Sequence, residues 1–237
     1  MQIRLSSTVK KLLLIYVAAF VIQQTVDQFF GGNLRSWFAL IPTLVLHGRV
    51  WQIFTYSFMH ADVMHLVLNC LVLAFLGSDI EALWGTRKFL IYYFFCTLMA
   101  GLVYLLAQLI MWNPLYLSMP MVGASGGIYG LLVAYSVLFA DRELLFMMLF
   151  PLKAKQFIWL LAGIEFLQAL FSGQGGLGAF AHLSGMGAGY LFLFLQARGF
   201  RTGGCQRTQP TKKKSGHLRL VKGEGKEDET RGPRTWH

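Results

Sequence analysis

The sequence predicts an all-α polytopic membrane protein, a bundle of six transmembrane helices. Three observations lead there. The chain has 237 residues, 55% of them hydrophobic and only 14% charged, where a water-soluble domain carries about 25% charged residues. Several apolar runs approach the ~20 residues that a helix needs to cross a bilayer. The charge is also unevenly spread. From Arg198 onward 11 Lys/Arg stand against 4 Asp/Glu, so seven of the ten net positive charges belong to the last segment. The basic excess is a property of that tail and not of a folded surface, so no nucleic-acid partner is expected.

Lys10 and Lys11 precede an apolar run from Leu12 to Ile22, which has the look of a signal peptide. No small-x-small cleavage site comes after it, and the later spans need a membrane. The run is therefore read as a retained first helix over residues 11–25, extended by 26–30. Residues 31–57 open on the turn Gly31-Gly32-Asn33 and then mix Trp37, Phe38, Trp51, Phe54 and Tyr56 with Pro42, Gly48 and a few charges. That is too apolar for a solvated loop and too broken for a span. The prediction is a loop lying partly in the membrane interface, with Trp and Tyr at headgroup depth.

The second helix is placed at 61–77, with Asp62 as its N-cap. A polar link holding Asp79, Glu81, Arg87 and Lys88 leads to the third, at 89–110. Residues 111–122 carry two prolines and no charge and are read as a shallow loop. The fourth helix runs from Ser125 to about Ala140 and is closed by Asp141, Arg142 and Glu143. Pro151, Lys153 and Lys155 interrupt the apolar pattern after it. A short amphipathic piece on the cytosolic side is expected there, then a fifth helix over 156–171. A Gly-rich loop (172–178) leads into the sixth, at 177–196. Three parts result: a short cytoplasmic N-terminus (1–10), a six-helix membrane domain (11–197), and a basic cytoplasmic tail (198–237). The tail's composition predicts disorder, and Lys212, Lys213 and Lys214 suit contact with anionic membrane lipids. Cys70, Cys96 and Cys205 form no motif, and the first two stand in apolar runs as small hydrophobes.

Six spans put both termini on one side. The links on that side hold Arg4, Lys10, Lys11, Arg87, Lys88, Arg142, Lys153 and Lys155, and the opposite links hold only Arg35 and Arg49. Basic residues stay on the cytoplasmic face, which puts both termini in the cytoplasm. His65, Ser125 and His182 then fall near the outer surface, at one depth, on three different helices.

The stretch Met121-Val122-Gly123-Ala124-Ser125-Gly126-Gly127-Ile128-Tyr129-Gly130 is small and uncharged. Taken alone, its Gly126/Gly130 spacing serves equally well for close helix packing. A serine at a helix's first turn also has free backbone N–H groups beside it, and such groups stabilise an oxyanion. His182, Gly185 and Gly189 share one helical face, smooth enough to lie against the Gly126/Gly130 face. That contact would bring an imidazole to the Ser125 hydroxyl. Serine is a weak nucleophile until an adjacent base takes its proton, and histidine titrates near working pH. Tyr129, one turn beyond Ser125, could pack on the His182 ring. His65 and Asn69, four residues apart, share a face. With the Ser125 N–H they are candidate oxyanion donors, although interhelical hydrogen bonds alone would also explain them. No acid has an obvious place to orient His182. Glu165 and Asp79 look poorly placed, so a Ser–His pair is expected. Glu165, the one acid inside a span, either faces a polar interior or is protonated and hydrogen-bonded. No cofactor is expected, and the histidines lack the Asp, Glu or Cys partners a metal site would need.

The chain resembles the rhomboid family of intramembrane serine proteases, with the bacterial-type six-helix core, over about residues 11–197. HADVMHLVLN (His60 to Asn69) looks like the family's histidine and asparagine motif of the second helix. GASG (Gly123 to Gly126) is similar to its GxSG nucleophile motif, with Tyr129 at the usual tyrosine position. AHLSGMGAG (Ala181 to Gly189) matches the motif of its sixth helix. Three such strings in the right order are far more specific than any one. The resemblance implies hydrolysis of peptide bonds in or beside transmembrane segments of membrane-protein substrates. It makes Ser125 the nucleophile and His182 the base, with His65 and Asn69 supporting the oxyanion, and Gly123 and Gly126 shaping the turn. Helix five, with Phe157 and Trp159, would be the side where substrates enter. The residues after 171 would cap the site, and the location would be a bacterial inner membrane. One departure stands out: Trp51-Gln52 replaces the family's common Trp-Arg in the first loop.

Overall fold

The computed structural model describes residues 5–146, 150–172 and 176–202. Six long or apolar helices dominate it: α1 (Ser7–Phe29), α2 (Val63–Trp84), α3 (Thr86–Met111), α4 (Ser125–Leu138), α5 (Ala154–Phe171) and α6 (Gly176–Thr202). Among the described residues five are long and apolar enough to cross a membrane. The other, α4, is apolar but has 14 residues. The chain is a mostly α-helical, multi-pass integral membrane protein. Helix α6 runs past residue 197, the expected end of the membrane domain. The tail from residue 203 lies outside the described residues, with Cys205 and the three consecutive lysines.

Local chemistry sets the helix ends. The Ser6 hydroxyl accepts from Val9 N–H (3.3 Å) at the start of α1, and the Asp62 carboxylate accepts from His65 N–H (2.8 Å) at the start of α2. These are side-chain caps for otherwise orphaned first-turn donors. Within α2 a π-helical turn at Leu73–Gly77 carries the helix on to Trp84, beyond the expected end at residue 77. Trp112, at φ +41°, ends α3, and Asn113-Pro114 start a single helical turn at Pro114–Leu117.

Helix α4 sits in the middle, packed on α3 and α6. Eleven of its 14 residues are buried, so its environment is protein on nearly every side. Its small residues make this possible. A Cβ on Gly126 would lie 2.5 Å from Ala100 Cβ, and one on Gly130 2.5 Å from Cys96 Sγ. Tyrosine hydroxyls tie the apolar core together. Tyr92 donates to the Gly130 carbonyl (2.7 Å), Tyr56 to the Thr97 carbonyl (2.6 Å), and Tyr16 and Tyr93 share a hydrogen bond (2.8 Å).

Polar contacts mark one end of the bundle. Arg142, just beyond α4, pairs with Asp79 of α2 and donates to the Tyr135 hydroxyl (2.9 Å). Glu81 of α2 accepts from Ser6 and from Thr86 (2.6 Å). Lys155 of α5 bonds Asp141 (2.8 Å). The segment expected as an amphipathic piece is instead an antiparallel hairpin, β1 (Glu143–Phe146) with β2 (Phe150–Lys153), in register Glu143↔Lys153. Its turn, 147–149, lies outside the described residues. The ends of α4 and α5 meet at the same face of the bundle, and a hairpin closes so short a gap while pairing its backbone groups. Pro151, which cannot sit inside a helix, is tolerated in a two-stranded edge.

The 31–57 loop lies at the opposite end. It folds into helical turns at Leu34–Phe38, Pro42–Leu46 and Gln52–Thr55, joined to the stretch before α4 by a bridge between Leu40 and Met121. Trp37 and Trp51 stack at 6.5 Å and are about half exposed, with Arg49 over the Trp37 ring at 4.4 Å. Aromatic faces plus a cation suit a headgroup layer.

Gln52 holds this loop. It is fully buried, accepts from Ile41 N–H (3.1 Å), and donates to the carbonyls of Ser36 (2.8 Å) and Trp37 (3.3 Å). The amide thus supplies the loop-bracing contacts from the position where the family commonly has arginine. Gln52→Ala is expected to lower stability in detergent by roughly 1–3 kcal/mol, because the Ile41 N–H loses its acceptor, while the Ser36 and Trp37 carbonyls keep Arg49 and Trp51 as donors. Thermal unfolding followed by tryptophan fluorescence measures it.

Candidate active site

The head of α4 is prepared by Gly123, at φ +113°. Its N–H donates to the Tyr56 carbonyl (3.0 Å), which anchors the turn to the first loop. A left-handed backbone without a Cβ is needed twice over here. A Cβ would lie 2.6 Å from His65 Cε1 and 2.7 Å from His65 Nε2, so the His65 ring lies directly over the turn. Ser125 is the first residue of α4, where backbone N–H groups have no intrahelical acceptor. It is 7% exposed.

Helix α6 meets α4 backbone to backbone. A Cβ on Gly185 would fall 2.2 Å from the Gly126 carbonyl oxygen, and one on Gly189 3.2 Å from Gly130 Cα. This is the Gly126/Gly130–Gly185/Gly189 contact that the spacing predicts. It carries His182 to the head of α4, where Nε2 stands 2.8 Å from Ser125 Oγ. The Tyr129 ring stacks on the imidazole at 4.3 Å between centroids and 10° between planes. With the serine hydroxyl donating, Nε2 accepts, and the neutral ring keeps its proton on Nδ1.

Asn69 stands close by. Its Nδ2 would be 3.7 Å from a Cβ on Gly123, is buried, and has no hydrogen-bond partner among the described residues. A buried orphan donor is costly, and this one lies beside the turn that leads into Ser125. The structure therefore brings Ser125, His182, His65, Asn69, Gly123, Gly126, Tyr129 and Gly185 into one cluster. Among the described residues no group of three or more His, Cys, Asp and Glu side chains has metal-holding geometry.

One residue stands where none is expected. Glu165 of α5 is buried, and its Oε1 lies 3.1 Å from His182 Nδ1 and accepts from the Tyr129 hydroxyl. The expectation that no acid reaches His182 is corrected. The signal is an acid set well inside an apolar run, which in a membrane points inward to a partner. Asp79 is, as expected, at the far end of the bundle with Arg142.

A profile described as the Rhomboid domain matches residues 47–199, from the middle of the first loop through α6. The chain belongs to the rhomboid family. Relatives include Rhomboid-like protease 3 of Toxoplasma gondii, 34% identical over 84 residues, which cover 35% of this chain and 29% of the relative. Rhomboid-related protein 3 of Homo sapiens is 32% identical over 117 residues, 49% of this chain and 25% of the relative. Rhomboid protease GlpG of Salmonella typhi is 28% identical over 90 residues, 38% of this chain and 33% of the relative. This rhomboid chain spans less than half the length of the curated relatives it matches first.

His60, in the link before α2, has its ring fully buried. It packs edge-on to His65 at 5.3 Å, and neither ring nitrogen has a hydrogen-bond partner among the described residues. Burial, with the neighbouring His65 adding to it, pushes this imidazole down to about 4. Above pH ~6.5 the ring is neutral in both folded and unfolded chains. As pH falls below that, the unfolded chain binds a proton that the folded one refuses, so stability is lost between about 6.5 and 4. By pH 5 the loss is about 2 kcal/mol. The apparent melting temperature in detergent is expected to fall from pH 7 to pH 5 in the wild type and to fall less steeply in His60→Phe.

Proposed function

We propose that this rhomboid protein is an intramembrane serine endopeptidase that cleaves transmembrane segments of membrane-protein substrates. The observation that carries the reading is the 2.8 Å approach of His182 Nε2 to Ser125 Oγ, with the imidazole held flat on Tyr129. Ser125 is the nucleophile and His182 the general base and acid. In the first step the Ser125 oxygen bonds to the scissile carbonyl carbon and its proton passes to His182 Nε2. The oxyanion is taken up by the Ser125 N–H, the Asn69 amide and the His65 ring. His182 then returns the proton to the leaving nitrogen as the C–N bond breaks, which leaves an acyl-enzyme. A water oxygen then bonds to the acyl carbon as its proton passes to His182 Nε2, and that proton goes back to Ser125 Oγ as the ester C–O bond breaks, which restores the serine.

In this proposal the six helices are six membrane passes, α4 ending short of the outer surface, with both termini cytoplasmic, as the basic residues favour. Residues 11–197 are the catalytic domain, and the basic segment 198–237 lies on the cytoplasmic side with the short N-terminus. The membrane is a bacterial inner membrane, and no cofactor takes part. The shortness of α4 supports the placement of the chemistry. Fourteen residues rise only about 21 Å, against a hydrocarbon core of about 30 Å. With its foot held at the Asp79–Arg142 end, the helix head stops below the opposite surface. Ser125 is then sunk within the membrane's thickness, and the partly exposed His182 keeps a route for water.

A fluorophosphonate probe tests the reading. The wild type in detergent is expected to be labelled, and Ser125→Ala to stay unlabelled. A wild type that resists the probe while a control serine protease reacts would point instead to a rhomboid fold that binds transmembrane helices without cleaving them.

A further inference from the structure

We propose that Glu165 is a positioning residue of the hydrolytic group, so that Ser125 and His182 work as part of a Ser–His–Glu array and not as a bare pair. The proposal rests on the reading of Ser125 and His182 as nucleophile and base. The geometry is specific. Ala154 and Glu165 are the buried residues of α5, and much of the rest of that helix is apolar and exposed, including Trp159, Leu160, Phe166, Leu167, Leu170 and Phe171. A carboxylate turned inward from such a helix is costly unless it is matched.

The matching groups come from two other helices, Tyr129 of α4 and His182 of α6. Among the described residues no lysine or arginine is paired with Glu165. Among those residues its one ion-pair partner is His182, and Oε2 has no hydrogen-bond partner. The negative charge therefore has a counter-charge only when His182 becomes an imidazolium, which is the species formed as the Ser125 proton is taken. An interaction that strengthens as the transition state forms lowers the barrier, whereas one equal in both states does not. The 3.1 Å contact has ion-pair distance but not yet hydrogen-bond alignment. Such contacts often straighten only in the reacting complex.

Glu165 also fixes the tautomer. With an acceptor facing Nδ1, the proton stays there and Nε2 remains free to take the serine proton. Around the imidazole stand Ser125 and Tyr129 from α4, Glu165 from α5, and His65 across the turn from α2. Of these, Glu165 alone is an acid.

A purely mechanical alternative is a latch that pins α5 to the bundle. The two roles differ in kinetics. The full-length protein in detergent micelles would be assayed on a single-span substrate, with activity normalised to the end point of fluorophosphonate labelling so that misfolded material is not counted. Glu165→Gln is expected to lower kcat about 10- to 100-fold, with KM within twofold. Glu165→Asp, which keeps the charge, is expected to recover part of that loss. Tyr129→Phe, which keeps the stacked ring and loses the hydroxyl, should cost only a few-fold. A Glu165→Gln enzyme with wild-type kcat, or a faster one, overturns the proposal, and a faster one identifies the latch. A Ser125→Ala control that cleaves normally would instead remove the proteolytic reading itself, and the proposal with it.

Discussion

Ser125→Ala and His182→Ala are each expected to abolish cleavage of a single-span substrate, by about four orders of magnitude or more. The two losses should not add. Once either group is gone, no hydroxyl is activated, so the double variant is expected to match the singles. Their folding costs differ. Ser125→Ala removes one hydrogen bond to His182, worth about 1 kcal/mol. His182→Ala strips the ring from the Tyr129 face and removes the imidazole that faces the buried Glu165 carboxyl. It should therefore be the less stable variant, by about 1–3 kcal/mol, the cost of leaving a buried polar group without its neighbour. Initial rates on a fluorogenic transmembrane substrate, measured with melting curves, separate the effects. Wild-type cleavage by Ser125→Ala would move the chemistry to some other nucleophile.

Why the serine and histidine are legible in the sequence, and the glutamate is not, has a physical answer. Gly126, Gly130, Gly185 and Gly189 recur at helical spacing, and small residues on two helices leave few ways for those helices to meet. Residues on the same faces are then placed almost automatically, which is how Ser125 and His182 can be paired from spacing alone. Helix α5 offers no such stripe. Much of its surface is exposed and apolar, so no amphipathic period tells which side faces the bundle. The orientation of Glu165 depends on a rotation that the sequence leaves open. The same holds for Gln52. Its amide closes a set of backbone bonds among residues 36–41, and a loop's internal geometry has no periodic signature. The β1–β2 hairpin escapes for a related reason. Four-residue strands interrupted by Pro151 look more like a broken amphipathic turn than a ladder.

Gly185→Ala is expected to have the largest effect of any substitution away from the reacting groups. Its new methyl would sit 2.2 Å from the Gly126 carbonyl oxygen and 2.9 Å from the carbonyl carbon. Both are backbone atoms of a helix that is itself packed on α3 through Gly126 against Ala100. Nothing there can swing aside, so α6 must back away from α4 by roughly 1 Å to reach ordinary contact. Catalytic geometry degrades steeply over such distances, about 10²-fold for a 1 Å misplacement. The His182–Ser125 contact of 2.8 Å bridges these same two helices one turn away. Activity should thus fall by about two orders of magnitude, and overpacking should cost a further 1–3 kcal/mol of stability. Gly187, two residues on, is the internal control. A Cβ there meets nothing within 4 Å, so Gly187→Ala should behave as wild type in both measurements. Equal rates for the two alanine variants would mean that the α4–α6 contact does not hold the imidazole on the hydroxyl, and that the site is aligned by something other than helix packing.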